Sequence, residues 1–463
     1  MNDNQDIEKK VLDAFKGFIN SYKLEPMAIN HDRLRPKYSP TSVTFKKDKE
    51  LLELFYEVES HQRICKILGQ LFPGQIDNKL VFKLLIDATT WWIEAGNDPT
   101  DQSKLEQAGQ EFIVMVREKI RPFLIFLPVE GLKIDSTKCV TLGRCKLQVH
   151  DRKSNLFQIL EQDKTRWKKE ASKDSGISKR VKAYFTCEIT GPPQKALDRG
   201  IEEANLALSM LRLYISFYYF HEYQDDIVYR MGLAGSLNFN EKIRVFYINP
   251  NESIVNQFPG FREQRKIYKE LEIDDELIEH MEENGLERLN KLFQSLDLNR
   301  SGDDVARRLL RAVTWFAKGT NARSIADSFL MYAIAIEGLL SEDRTPQETY
   351  ATQIAALVTT DKDQLIYPVG GYISIQFAKQ LKEAESLNTK YNLVRNRVLD
   401  LFNYRNRIAH GAILEDEVNT INLLDFETLA KNTILSFVSG GWESFSAFKG
   451  WINKSVRYDF IPQ

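Results

Sequence analysis

Residues 401–411 read LFNYRNRIAHG and bring Arg405, Asn406, Arg407 and His410 close together. Histidine is the one side chain whose ordinary pKa lets it take and give protons near neutrality. Arginine is a permanent cation whose fork fits phosphate oxygens. Such a set has the parts to cleave RNA with no metal and no cofactor. The imidazole of His410 can help remove a 2′-OH proton or protonate the leaving 5′-oxygen. The Arg405 guanidinium can offset charge on the phosphorus oxygens. Arg407 adds a second cation for the substrate backbone. On a helix Asn406 and His410 lie four apart and share a face, so Asn406 can orient the imidazole. Arg405 and His410 are roughly 140° apart around the axis. Either the long arginine curls back, or a second copy completes the site, which makes a homodimer the expected assembly.

The bare spacing, Arg followed by His after four to six positions, is weak, and about one match arises by chance in a chain like this. A second match does occur, Arg144 with His150. It falls on an alternating stretch, RCKLQVH, where six strand steps span roughly 20 Å. Those two side chains cannot meet at one phosphate, so this match is a decoy. The bland alternative for 405–410 is a polar helix face capped by Gly411.

Other chemistry is thinner. Residues 164–182 hold eight Lys/Arg and two acids around Trp167. A basic loop with a stacking aromatic suits single-stranded nucleic acid, with Trp167, Lys168 and Lys169 as contacts; the alternative is a solvated loop. Cys139, Cys145 and His150 match no common zinc-finger spacing. Gly235-Ser236 resembles the start of a nucleotidyltransferase site, but the paired aspartates that would hold magnesium do not follow. There is no P-loop, G-x-S-x-G or H-E-x-x-H. His31, His61, His221 and His280 are scattered and read as structural or surface groups.

The elements that must position these residues follow from pattern. The 463 residues are 43% apolar and 28% charged, with a net charge of −2. That is an ordinary globular composition, and it excludes a disordered chain, a collagen and a disulfide scaffold. With no global basic excess, any nucleic-acid contact must be a local patch. Four cysteines without a C-x-x-C pair point to a reducing compartment. The N-terminus has no secretory pattern. The longest apolar run, 206–220, is too short for a span and carries Arg212, so a cytoplasmic protein without membrane contact is expected.

A mainly α fold is expected in three parts. Residues 1–120 read as helical, including 51–72. Residues 121–260 read as an α+β sensing or regulatory domain. Its strands fall at FLIFLP, 144–150, 184–189, 226–229 and 244–248, a helix covers 196–220, and a linker is bracketed by Asn249-Pro250-Asn251 and Pro259-Gly260. Residues 261–463 read as a helical bundle with its core at about 300–440. Its stripes are Val305, Leu309, Ala312, Phe316; Ile325, Phe329, Tyr332, Ile336, Leu339; Tyr391, Val394, Val398, Leu401, Tyr404, Ile408; and Leu424, Ala430, Ile434, Phe437.

FLMYAIAIEGLL (329–340), followed some seventy residues later by YRNRIAHG (404–411), resembles the HEPN superfamily, nearest its Apea-like group of anti-phage ribonucleases. The likeness covers about 300–440. It implies a four- or five-helix HEPN bundle that dimerises with the motif helices facing each other. It also implies a metal-independent endoribonuclease that leaves a 2′,3′-cyclic phosphate and a 5′-hydroxyl. Carried over, His410 is the general acid/base, Arg405 contacts the scissile phosphate and Asn406 holds the imidazole or the ribose. Members act in phage defence, through abortive infection, or as toxins, so RNA is the implied substrate and a phage-derived trigger the implied activator. Other members have lost catalysis and serve as RNA-binding scaffolds, which is the alternative. Glu337 lies on the earlier helix and could orient the arginine, but such an acid is as often a structural ion-pair partner, and it stays outside the expected site.

Overall fold

Runs of apolar residues three and four apart dominate this chain, and the fold that buries them is mainly α. The computed structural model describes residues 2–26, 38–47, 50–72, 78–98, 100–149, 181–215, 227–229, 231–233, 243–248, 255–260, 267–296, 303–322, 324–342, 345–359, 375–414 and 417–458. The chain divides into two compact units, Met1–Leu124 with Glu188–Arg199, and Ile125–Cys187 with Gly200–Gln463.

In the first unit, helices α1 (Asn2–Ser21), α2 (Val58–Leu71), α3 (Asn78–Glu94) and α4 (Gln102–Lys119) bury a common core. Phe15 stacks on Phe112 at 4.9 Å, and Trp92 is fully buried while its neighbour Trp91 is exposed. Asp101 caps α4 by accepting from the Ser103 and Lys104 amides. The expectation of a helical region including 51–72 needs correction at its start. Strands β1 (Lys23–Pro26), β2 (Tyr38–Lys47) and β3 (Glu50–Glu57) form an antiparallel sheet with β3 in the middle. The segment 50–57 (ELLELFYE) is ambiguous by pattern, and its pairing with β1 and β2 on either side decides it.

A five-stranded sheet, most of it within the second unit, runs β10-β4-β8-β7-β6, from β4 (Arg121–Glu130), β6 (Val140–Leu142), β7 (Cys145–Val149), β8 (Val181–Gly191) and β10 (Gly232–Leu233). The expected strands at FLIFLP, 144–150 and 184–189 are β4, β7 and β8. β7 and β8 pair antiparallel, with Leu147 opposite Phe185, and Cys145 and Cys187 are buried. Short pairs join β5 (Leu132–Ile134) to β14 (Leu271–Ile273) and β9 (Ile227–Tyr229) to β13 (Ile267–Lys269), both parallel. Residues 259 and 260, expected in a linker, instead end β12 (Val255–Gly260), which pairs antiparallel with β11 (Ile243–Ile248). Proline is tolerated there because this two-stranded ribbon is all edge. Helix α5 (Pro193–Ile215) covers the expected helix as far as residue 215, and 216–220 lie outside the described residues.

The helices that follow are α6 (Asp275–Glu283), α7 (Leu286–Ser295), α8 (Asp304–Thr320), α9 (Ile325–Leu340), α10 (Gln347–Thr359), α11 (Ile375–Glu383), α12 (Leu387–Ala409), α13 (Thr420–Ser439) and α14 (Phe445–Tyr458). α8 packs on α9, α9 on α13, and α12 on α9, α10, α11 and α13. Val305, Leu309, Ala312 and Phe316 are buried, as are Phe329, Tyr332, Ile336 and Leu339, whereas Ile325 is exposed at its helix start. Phe402 on α12 is the hub: it stacks on Tyr350 of α10 at 5.5 Å and meets Phe426 of α13 edge-on at 5.4 Å. Removing a ring so enclosed costs about 3–5 kcal/mol. Among the described residues no helix is long and apolar enough to cross a membrane.

Candidate active site

The motif occupies the last turns of α12. Ser386 starts that helix by accepting from the Thr389 amide at 3.1 Å. Its end is a complete Schellman arrangement: the Gly411 N–H donates to Ile408 O at 3.0 Å, and the Ala412 N–H to Arg407 O at 2.8 Å. Gly411 has φ +70°, a conformation glycine adopts without a side-chain penalty. His410 is therefore the C-cap residue. Its own N–H donates to Asn406 O at 2.9 Å, and its side chain is exposed.

Arg405 is half-buried and pinned. Nη2 lies 3.0 Å from Glu337 Oε1 and donates to Oε2 at 3.2 Å; Nη1 donates to Asn406 Oδ1 at 3.1 Å. Glu337 comes from α9, so the pair ties α9 to the end of α12. Burial raises the Glu337 pKa and the guanidinium beside it pulls the other way. Nε of Arg405 is buried and has no partner among the described residues.

The next layer holds the chain that leaves the motif. Tyr404 packs its ring on Phe329 at 5.5 Å. Its hydroxyl accepts from the Asn419 N–H at 2.7 Å, and Asn419 in turn caps α13 by accepting from the Ile421 amide at 2.8 Å. Arg397, two turns before Arg405, forms an ion pair with the buried Asp425 at 2.5 Å and donates to Asn422 Oδ1 at 2.7 Å.

Arg405 and Asn406 are thus together, with Glu337 added, while Arg407 and His410 are exposed at the helix end. The expected Asn406–His410 side-chain bond is not what forms. Asn406 Oδ1 serves Arg405, because the guanidinium, fixed by Glu337, is the stronger donor within reach. Glu337 is the residue that sequence reasoning set aside. Its signal was an acid in an otherwise apolar helix, FLMYAIAIEGLL, where an unpaired charge is too costly to bury.

The second Arg/His spacing serves a different purpose. Arg144 Nη2 donates to the carbonyls of Gln294, at 3.1 Å, and Leu296, closing the end of α7, and Nη1 meets Glu203 Oε1 at 3.4 Å. His150 lies outside the described residues, as do Trp167, Lys168, Lys169, Gly235, Ser236, His31 and His221. Cys139 is exposed and Cys145 buried, and among the described residues no three acidic, histidine or cysteine side chains are grouped to hold a metal. No known protein family, curated protein or solved structure matches this chain.

Proposed function

We propose that this protein is a metal-independent endoribonuclease of the HEPN type, acting as a homodimer on RNA in the cytoplasm, in anti-phage defence or as a toxin. The observation that carries the reading is the α12 terminus. A guanidinium is held at fixed orientation by Glu337 and Asn406, and an exposed imidazole sits at the C-cap one and a half turns on. In the reaction His410 takes the proton of a ribose 2′-OH. The freed 2′-oxygen bonds to the adjacent phosphorus, and the P–O5′ bond breaks as the 5′-oxygen gains a proton. The products are a 2′,3′-cyclic phosphate and a 5′-hydroxyl, with no water consumed. Arg405 meets the charge that builds on the non-bridging oxygens, and Arg407 contacts the backbone. Because Arg405 is tied back to α9 rather than curled toward His410, a second copy of α12 supplies the complementary half of each site.

The test is cleavage of RNA by the purified full chain in EDTA, with product ends identified by mass. Wild type is expected to cut and leave cyclic phosphate. His410→Ala and Arg405→Ala are expected to lose at least a hundredfold in rate, as removal of a general base or an oxyanion donor does, with melting of the His410 variant unchanged. Cleavage that survives both substitutions refutes the assignment. RNA binding without cleavage would establish the non-catalytic scaffold reading instead.

A further inference from the structure

We infer that Glu337 is a positioning residue for Arg405, and this rests on the ribonuclease reading above. A guanidinium has five N–H donors in a rigid plane. Here the plane is fixed at two corners: Nη2 by both oxygens of Glu337, and Nη1 by Asn406 Oδ1. The second N–H of Nη1 has no acceptor among the described residues, and a quarter of the arginine side chain remains exposed. Nε–H is buried and also without a partner among the described residues, so the donor left to meet a phosphate oxygen is this second N–H of Nη1, in an orientation that Glu337 sets.

The surroundings leave Glu337 few other duties. Its helix neighbours Ala333, Ile336 and Leu340 are buried apolar groups, and Tyr350 stacked on Phe402 contributes an apolar wall on α10. Burial raises the Tyr350 phenol pKa, hydrogen bonds with Thr345 and Ser341 lower it, and the Glu337 and Arg405 charges act on it in opposite directions. A carboxylate in such a site is neutralised by one partner, and that partner is Arg405. The phosphate therefore meets a cation whose net charge is already balanced. Glu337 contributes little to long-range attraction for RNA, and its effect falls on alignment in the transition state rather than on ground-state binding.

This yields an order of variants that stability alone would not give. Glu337→Gln keeps an acceptor oxygen at the same reach without the charge. Glu337→Asp keeps the charge but withdraws it by one methylene. Steady-state cleavage of a short RNA, together with anisotropy binding of the same RNA carrying 2′-O-methyl groups, reads the difference. The expected result is that Glu337→Gln stays within about threefold of wild type in kcat. Glu337→Asp and Glu337→Ala are expected to fall about tenfold or more, as lost orientation does, with KM and 2′-O-methyl RNA affinity within about threefold for all. The kcat order should hold even where melting temperatures rank differently. Three results overturn the inference: Glu337→Ala cutting at the wild-type rate, Glu337→Gln as impaired as Glu337→Asp, or a loss confined to KM. If Glu337→Ala does not fold, the Gln and Asp variants decide alone. A folded wild type that neither cuts nor binds RNA overturns the ribonuclease reading itself, and the inference with it.

Discussion

His280 shows how a half-buried polar group couples this fold to pH. It lies on α6, where the Asn284 amide sits 3.2 Å from its Nδ1, so a ring nitrogen that accepts from this amide is favoured over one that is protonated. Burial, with the nearby Lys431 charge, lowers its pKa to about 4. Lys431 is itself buried, donates to Tyr214 O at 3.0 Å and is held well below the usual lysine range by that burial. The folded value of His280 lies below the ordinary 6.5, so neutral imidazole stabilises the fold. That contribution is present above about pH 6.5 and is lost as pH falls toward 4, when the unfolded chain takes a proton the folded chain refuses. Melting temperature measured from pH 7.5 to 4.5 should therefore fall less steeply in His280→Leu than in wild type. Parallel curves would show that the imidazole is not held neutral.

At the scale of elements, α12 is steered by a charge pair. Arg397 meets the nearly fully buried Asp425 of α13 through two nitrogens and reaches Asn422 with one of them. Arg397→Ala would take these hydrogen bonds and the cation away from a nearly fully buried carboxylate and should cost about 3 kcal/mol, read as a lower denaturant midpoint. Asp425→Asn in the same background should recover part of the loss. Much of this architecture was legible beforehand. Three-and-four spacing placed Val305 to Phe316 and Tyr391 to Leu401 on buried faces, and alternation placed Leu147 and Phe185 on one side of a sheet. The strand at 50–57 was not legible, because its partners lie at 23–26 and 38–47 and only pairing distinguishes it from a helix start. In the site, the types and spacing of Arg405, Asn406 and His410 could be read directly. The Glu337 partnership could only be suspected, since it joins residues 68 positions apart. The redirection of Asn406 depends on it.

At the scale of the whole molecule, the proposed sharing of a site between two copies has an arithmetic signature. Arg405→Ala and His410→Ala are each expected to be inactive alone. Mixed in equal amounts and allowed to exchange, they form heterodimers in which one of two composite sites is intact. Random pairing then restores about a quarter of wild-type cleavage. A mixture that is dimeric by light scattering yet stays inactive would place both groups of a working site in one chain.

The clasp of Arg397 on Asp425 and Asn422 has a final consequence, for how the protein can be switched. Ridge-into-groove contacts alone tolerate a helix sliding by one turn, since similar side chains recur. A slide of α12 along α13 would pull the Arg397 guanidinium off a nearly fully buried carboxylate, so small shifts of this helix are opposed. Arg405 lies on the same rod two turns further on. On the proposed ribonuclease reading, a trigger acting through this helix is therefore expected to work by wholesale displacement or by masking its end rather than by a small shift.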